Sequence, residues 1–104
     1  MIIETIDQKF DDFIRGLETP TRTKVGRMID LLEQSGSLLG MPYSKSLGNN
    51  LFELRTRGQQ EIRIFYTFYN NRAWLLHGFI KKTQKTPRRE IAIAEVKLQA
   101  LTTR

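Results

Sequence analysis

The chemistry on offer in this sequence rests on cations. Arg55 falls in the alternating segment Leu51–Arg57 and Arg63 in the alternating segment Glu61–Tyr69. Each sits on the less apolar side of its strand, so both project from the sheet face opposite the helices. With a three-residue turn over Gly58, Gln59 and Gln60, Arg57 pairs with Glu61 and Arg55 lies directly across from Arg63. Two guanidinium groups that close repel unless an anion sits between them, and arginine's planar, permanently charged fork suits phosphate oxygens. The plainer reading is a pair of solvated strand arginines matched by Glu53 and Glu61.

A second set of cations follows the apolar run that ends at Ile80. Lys81, Lys82, Lys85, Arg88 and Arg89 are separated only by Thr83, Gln84, Thr86 and Pro87. Delivered at the end of a rigid strand, they form a fixed positive field suited to a polyanion. One lysine can serve as a general acid or stabilise developing charge; the plainer reading is a solvated charge run. Arg88 and Arg89 fall in the first turn of the last helix, where the helix dipole disfavours cations, and a bound anion would relieve that penalty.

His77 is the sole histidine, and it is either a general acid or base or a hydrogen-bonded core residue. Register decides between these. A two-residue Asn70-Asn71 loop places His77 opposite Ile64 on the helix-packed face, and a loop one residue longer moves it to the face of Arg63. Both remain open at this point. A two-histidine ribonuclease is excluded, as is any thiolate or zinc-thiolate site, because the chain has no cysteine. No metal-binding motif, Gly-rich phosphate loop or G-x-S-x-G elbow appears. RNA cleavage needs none of these, since its nucleophile, the 2′-OH, belongs to the substrate; the protein must orient it and neutralise the transition state.

The elements that position these groups read clearly. Ile6, Phe10, Phe13, Ile14 and Leu17 recur at helical spacing, with Asp7 as N-cap. A second helix opens with Thr19 as N-cap and Pro20 at its first position, carries Val25, Met28, Ile29 and Leu32 inward, and ends at Gly36. Ile2 and Ile3 offer a short first strand. From Leu51 the period changes to alternation through three strands, joined by Gly58-Gln59-Gln60 and Asn70-Asn71 turns. Thr86-Pro87 caps a last helix with Ile91, Ala94, Leu98 and Leu101 on its apolar side. The expectation is a single α+β domain over 1–104, an antiparallel sheet of three to four strands with its helices packed on one sheet face. With 39% hydrophobic and 27% charged residues and a net charge of +6, the composition is that of a folded globular chain with a basic side. No segment reads as a signal peptide or membrane span, and a cytoplasmic location is expected.

The segments LFELR, EIRIFY and above all LLHGFIKKTQKTPRREI, with the G-x-P-Y-x-K-x-L segment at Gly40–Leu47, resemble the RelE/HigB toxin superfamily, in particular its phage-derived, HigB-like branch. The resemblance covers nearly the whole chain. It implies a RelE-like fold with an N-terminal helical hairpin on one face and a C-terminal helix. It further implies the toxin of a type II toxin–antitoxin pair, a metal-independent endoribonuclease (mRNA interferase) with no cofactor that cuts messenger RNA in the ribosomal A site. There 2′-OH attack leaves a 2′,3′-cyclic phosphate. Carried over by motif, the catalytic set is Arg55, Arg63, Lys81 and Lys82, with His77 added; RNA binding falls to Lys45, Arg57, Lys85, Arg88 and Arg89. The tyrosine that some relatives use near the C-terminus has no counterpart, since none follows Tyr69. The implied partner is a HigA-like helix-turn-helix antitoxin. Two rival readings stand beside this one: a catalytically inert RNA- or DNA-binding module, with Trp74, Tyr66 and Tyr69 as stacking surfaces, and a protein-interaction role toward an acidic antitoxin.

Overall fold

The computed structural model describes residues 1–103. Its elements run β1 (Ile2–Thr5), α1 (Gln8–Arg15), α2 (Thr19–Ser35), β2 (Ser44–Gly48), β3 (Leu51–Thr56), β4 (Ile62–Tyr69), β5 (Arg72–Ile80) and α3 (Arg88–Thr102), with a 3-10 turn at Gly36–Leu38. The mixed α+β class agrees with the sequence reading, but the sheet has five strands, ordered β1-β5-β4-β3-β2. β1 runs parallel to β5 and the other pairings are antiparallel. β2, Ser-Lys-Ser-Leu-Gly, is a mostly exposed edge strand without apolar alternation, so periodicity could not reveal it. Asn49 and Asn50 (φ 54° and 61°) turn it into β3, as Asn70 and Asn71 (φ 53° and 60°) turn β4 into β5. Paired positive φ is the signature of the type I′ hairpin, whose twist matches that of the strands.

The helices do not share one sheet face. α1, α2 and the turn between them bury Phe10, Leu17, Val25 and Leu32 against Leu54, Ile62, Ile64, Tyr66 and Leu75. α3 packs on the opposite face, where Ala94 and Leu101 meet Leu51, Phe65 and Leu76. This corrects the expected arrangement, and the reason is apolar area. The second face carries Phe65, Tyr69, Trp74, Leu76 and Phe79, a surface too large to leave in water. Asp7 caps α1 as expected, accepting from the Phe10 amide at 3.0 Å. α2 starts one residue earlier than read, with Glu18 as N-cap. Pro87, not Thr86, holds the N-cap position of α3 and offers no side-chain bond. Gly78 answers to packing: a Cβ there would lie 2.6 Å from Phe13 Cε2 and 2.8 Å from its Cδ2, so glycine is what lets α1 close onto β5. Among the described residues, no helix is long and apolar enough to cross a membrane.

Candidate functional site

α3 covers only part of its face. Where β3 ends and β4 begins, the same face stays open, and the register lines up what it carries. Arg55 lies across from Arg63, as the three-residue turn implied, and Glu53 lies across from both Phe65 and Lys45. The open end is a basin of about 780 Å³. Seven cationic side chains line it, Lys45, Arg55, Arg57, Arg63, Lys81, Lys82 and Lys85, against two carboxylates, Glu53 and Glu61. A concave surface with that imbalance concentrates anions.

The two central arginines are not free forks. Glu53, 1% exposed, puts Oε1 3.1 Å from Arg55 Nε and 3.6 Å from Arg63 Nε. Arg63 Nη2 also meets Glu61 Oε2 at 3.2 Å. The anion between the two guanidinium groups is therefore the protein's own carboxylate, with the partners the plainer reading named, but buried rather than solvated. Burial pulls the Arg63 guanidinium below its ordinary pKa, with Glu53 and Glu61 opposing that shift and Arg55 and Arg57 adding to it. It stays charged at any physiological pH. Its Nε and Nη1 are buried with no hydrogen-bond partner among the described residues, so Arg63 acts on the basin through its charge and not through exposed donors.

The loop after β5 is tied to this centre. Thr86 Oγ1 donates to Glu53 Oε2 at 2.8 Å, and the Lys81 amide donates to the Glu61 carbonyl at 2.8 Å. The Lys81 ammonium donates to the Thr83 and Gln84 carbonyls, so it braces the loop from within. Lys82, Lys85 and Arg57 are exposed on the rim, and among the described residues no hydrogen bond or ion pair engages their side chains. Sequence reasoning treated Thr86 as a helix cap and Glu53 as a surface partner. It missed that they form one hub, because the contact that joins them links residues 33 positions apart in the chain.

Not every expected residue gathers here. His77 lines a different hollow, between α1 and α3, with Phe13, Ile93 and Lys97. Its Nε2 lies 3.2 Å from Glu90 Oε2, and its ring neighbours those of Phe65 and Phe79, which also contact each other. The loop is two residues long, yet His77 shares the face of Arg63. A register shift between Phe65 and Tyr66 pairs Tyr66 with Leu75 and Phe65 with His77, leaving Leu76 as the extra residue. Such a bulge flips every side chain beyond it, so His77 falls on the face that the longer-loop register gave it, by a bulge in place of a longer loop. Arg88 and Arg89 are exposed at the start of α3 and do not line the basin. Of the proposed stacking rings, Tyr66 is buried with its hydroxyl against Ser44, while Tyr69 and Trp74 pack against the core beneath α3. Among the described residues, no group of three or more His, Cys, Asp or Glu is placed to hold a metal ion.

A protein-family model described as phage derived protein Gp49-like (DUF891) matches residues 12–99. No curated protein matches the chain.

Proposed function

The chain belongs to the phage-derived Gp49-like family, a RelE/ParE-like toxin–antitoxin family, and from that premise we propose that it is a HigB-like toxin, one domain over 1–104, that cuts messenger RNA in the ribosomal A site. What carries the reading is the basin, in which five further cations surround the carboxylate-bridged pair Arg55 and Arg63. Family relation to RelE-type ribonucleases supports the reaction class.

In this reading the scissile phosphate enters over Arg55 and Arg57, with the buried Arg63 adding its charge from beneath. The 2′-oxygen attacks phosphorus in line and gives up its proton to water. The bond to the 5′-oxygen breaks, and Lys82 protonates that leaving group. A 2′,3′-cyclic phosphate and a 5′-hydroxyl result, with no metal required. The protein supplies orientation and charge neutralisation, terms that account for most catalysis of this kind. His77, paired with Glu90 outside the basin, has no part in it. Arg63 and Lys81 act chiefly as supports, one held by two carboxylates and the other bracing its own loop. The partner is a HigA-like helix-turn-helix antitoxin that covers the basic face, and the pair works in the cytoplasm.

Induced expression tests the assignment. Wild type should arrest growth, co-expressed antitoxin should relieve the arrest, and Arg55→Ala with Lys82→Ala should abolish it at equal soluble protein. Full arrest by that folded double variant would remove the basin from the mechanism.

A further inference from the structure

On the far side of the Arg55–Arg57 segment lies a second hollow, of about 310 Å³. Its walls differ from those of the basin. Met28 of α2, Pro42 and Tyr43 supply an apolar lining, and Lys24 and Arg27 stand at its margin. Arg55 and Arg57 belong to both hollows, so a ligand can run from one into the other without leaving protein. The volume sits at the lower end of small-molecule sites, which span about 300–1,000 Å³.

Tyr43 is the one exposed aromatic side chain among the described residues, at 46%. Its backbone is nevertheless fixed. The Arg55 amide donates to its carbonyl at 2.8 Å, and its own amide donates to the Gly40 carbonyl at 3.0 Å. A ring left in water on a rigid backbone, beside a proline and a methionine and among cations, suits a flat ligand with apolar faces and attached anions. A simple anion would gain nothing from the apolar wall. A purely apolar ligand would gain nothing from Lys24, Arg27, Arg55 and Arg57. A nucleobase flanked by phosphates satisfies both, since unstacked bases stack on aromatic and guanidinium planes while the backbone follows the cations.

We infer that this hollow is a nucleobase pocket, in which the Tyr43 ring stacks on the base next to the phosphate held in the basin and Lys24 and Arg27 take the following phosphate. It rests on the RNA-cleaving reading and adds the place where sequence preference is set.

The test uses a short fluorescein-labelled RNA with 2′-O-methyl sugars, which binds but cannot be cut, together with versions made abasic at one position each. Tyr43→Ala should weaken binding of the intact strand about tenfold, the scale of one base–aromatic stack, and Tyr43→Phe should stay within about twofold of wild type. Against the strand abasic at the stacked position, Tyr43→Ala and wild type should bind alike. Equal binding of the intact strand by Tyr43→Ala overturns the pocket, as does a tenfold loss that persists on every abasic strand. So does a Tyr43→Ala defect seen only with an acidic antitoxin peptide. Lys82→Ala separates the two levels. If it weakens RNA binding while Tyr43→Ala does not, the pocket fails and the basin stands; if wild type binds no RNA, both fail.

Discussion

Replacing Glu53 by alanine asks whether the protein's own carboxylate holds the basin together. Glu53 is buried, joins Arg55 at 3.1 Å and Arg63 at 3.6 Å, and anchors the loop after β5 through Thr86 at 2.8 Å. Removing one partner from a buried ion pair costs about 3–5 kcal/mol, because the remaining charge is left uncompensated. Here Arg63 keeps Glu61 at 3.2 Å and Arg55 is 16% exposed, so the loss falls at the lower end, about 3 kcal/mol. For a chain of this size that lowers Tm by roughly 12–24 °C. Urea unfolding at pH 7 with a common slope measures the loss. The vacated space between two guanidinium groups should then accept an external anion. Phosphate at ten times its Kd should restore about 1.4 kcal/mol to Glu53→Ala and less to wild type, with chloride at matched ionic strength as control. A loss under about 1 kcal/mol, or equal effects of phosphate and chloride, would refute the hub.

Two further predictions concern the scaffold that positions the site. Gly78→Ala drives a Cβ into the Phe13 ring at 2.6 Å and should cost about 1–3 kcal/mol; adding Phe13→Leu should recover part of it, and a purely additive double variant would show that the contact is not the cause. Asp7 faces Lys97 at 3.0 Å; burial raises its pKa, but the Phe10 amide and Lys97 outweigh this and hold the carboxyl below its ordinary value. The charged form therefore favours the fold, a contribution present above the unfolded pKa near 3.9 and lost as pH falls through the folded value. Asp7→Asn keeps a capping side chain and loses the charge. It should be less stable than wild type at pH 7 by under about 1 kcal/mol, with the gap closing at pH 3; a gap unchanged at pH 3 would contradict the assignment.

The strands that carry the site were legible because β4 alternates over its whole length, with Ile62, Ile64, Tyr66 and Phe68 on the hairpin face and Arg63 and Phe65 on the other. Taken with a three-residue turn at Gly58, Gln59 and Gln60, that pattern predicts the observed Arg55–Arg63 pairing. Period-2 reasoning fails wherever the ladder slips by one residue, and the bulge at Leu76 is such a slip. Nothing in Trp-Leu-Leu-His-Gly distinguishes a bulge from a longer turn, since Leu75 and Leu76 are both apolar and each is buried against a different face. The edge strand β2 was invisible for the opposite reason, having a single apolar residue, Leu47. The Glu53–Thr86 bond joins residues 33 positions apart, and neither type nor spacing marks such a pair. α3 was read with its correct apolar side, Ala94 and Leu101 inward, but sequence periodicity does not say which sheet face a helix will cover.

Mapping the 5′ ends of a defined message in an actively translating extract tests the central claim most directly. Purified wild-type protein should produce cuts in phase with the codons, each upstream fragment ending in a 2′,3′-cyclic phosphate, and Arg55→Ala with Lys82→Ala should produce none. An intact message in the presence of folded wild-type protein, or cuts that are unphased and equally frequent without ribosomes, would contradict it.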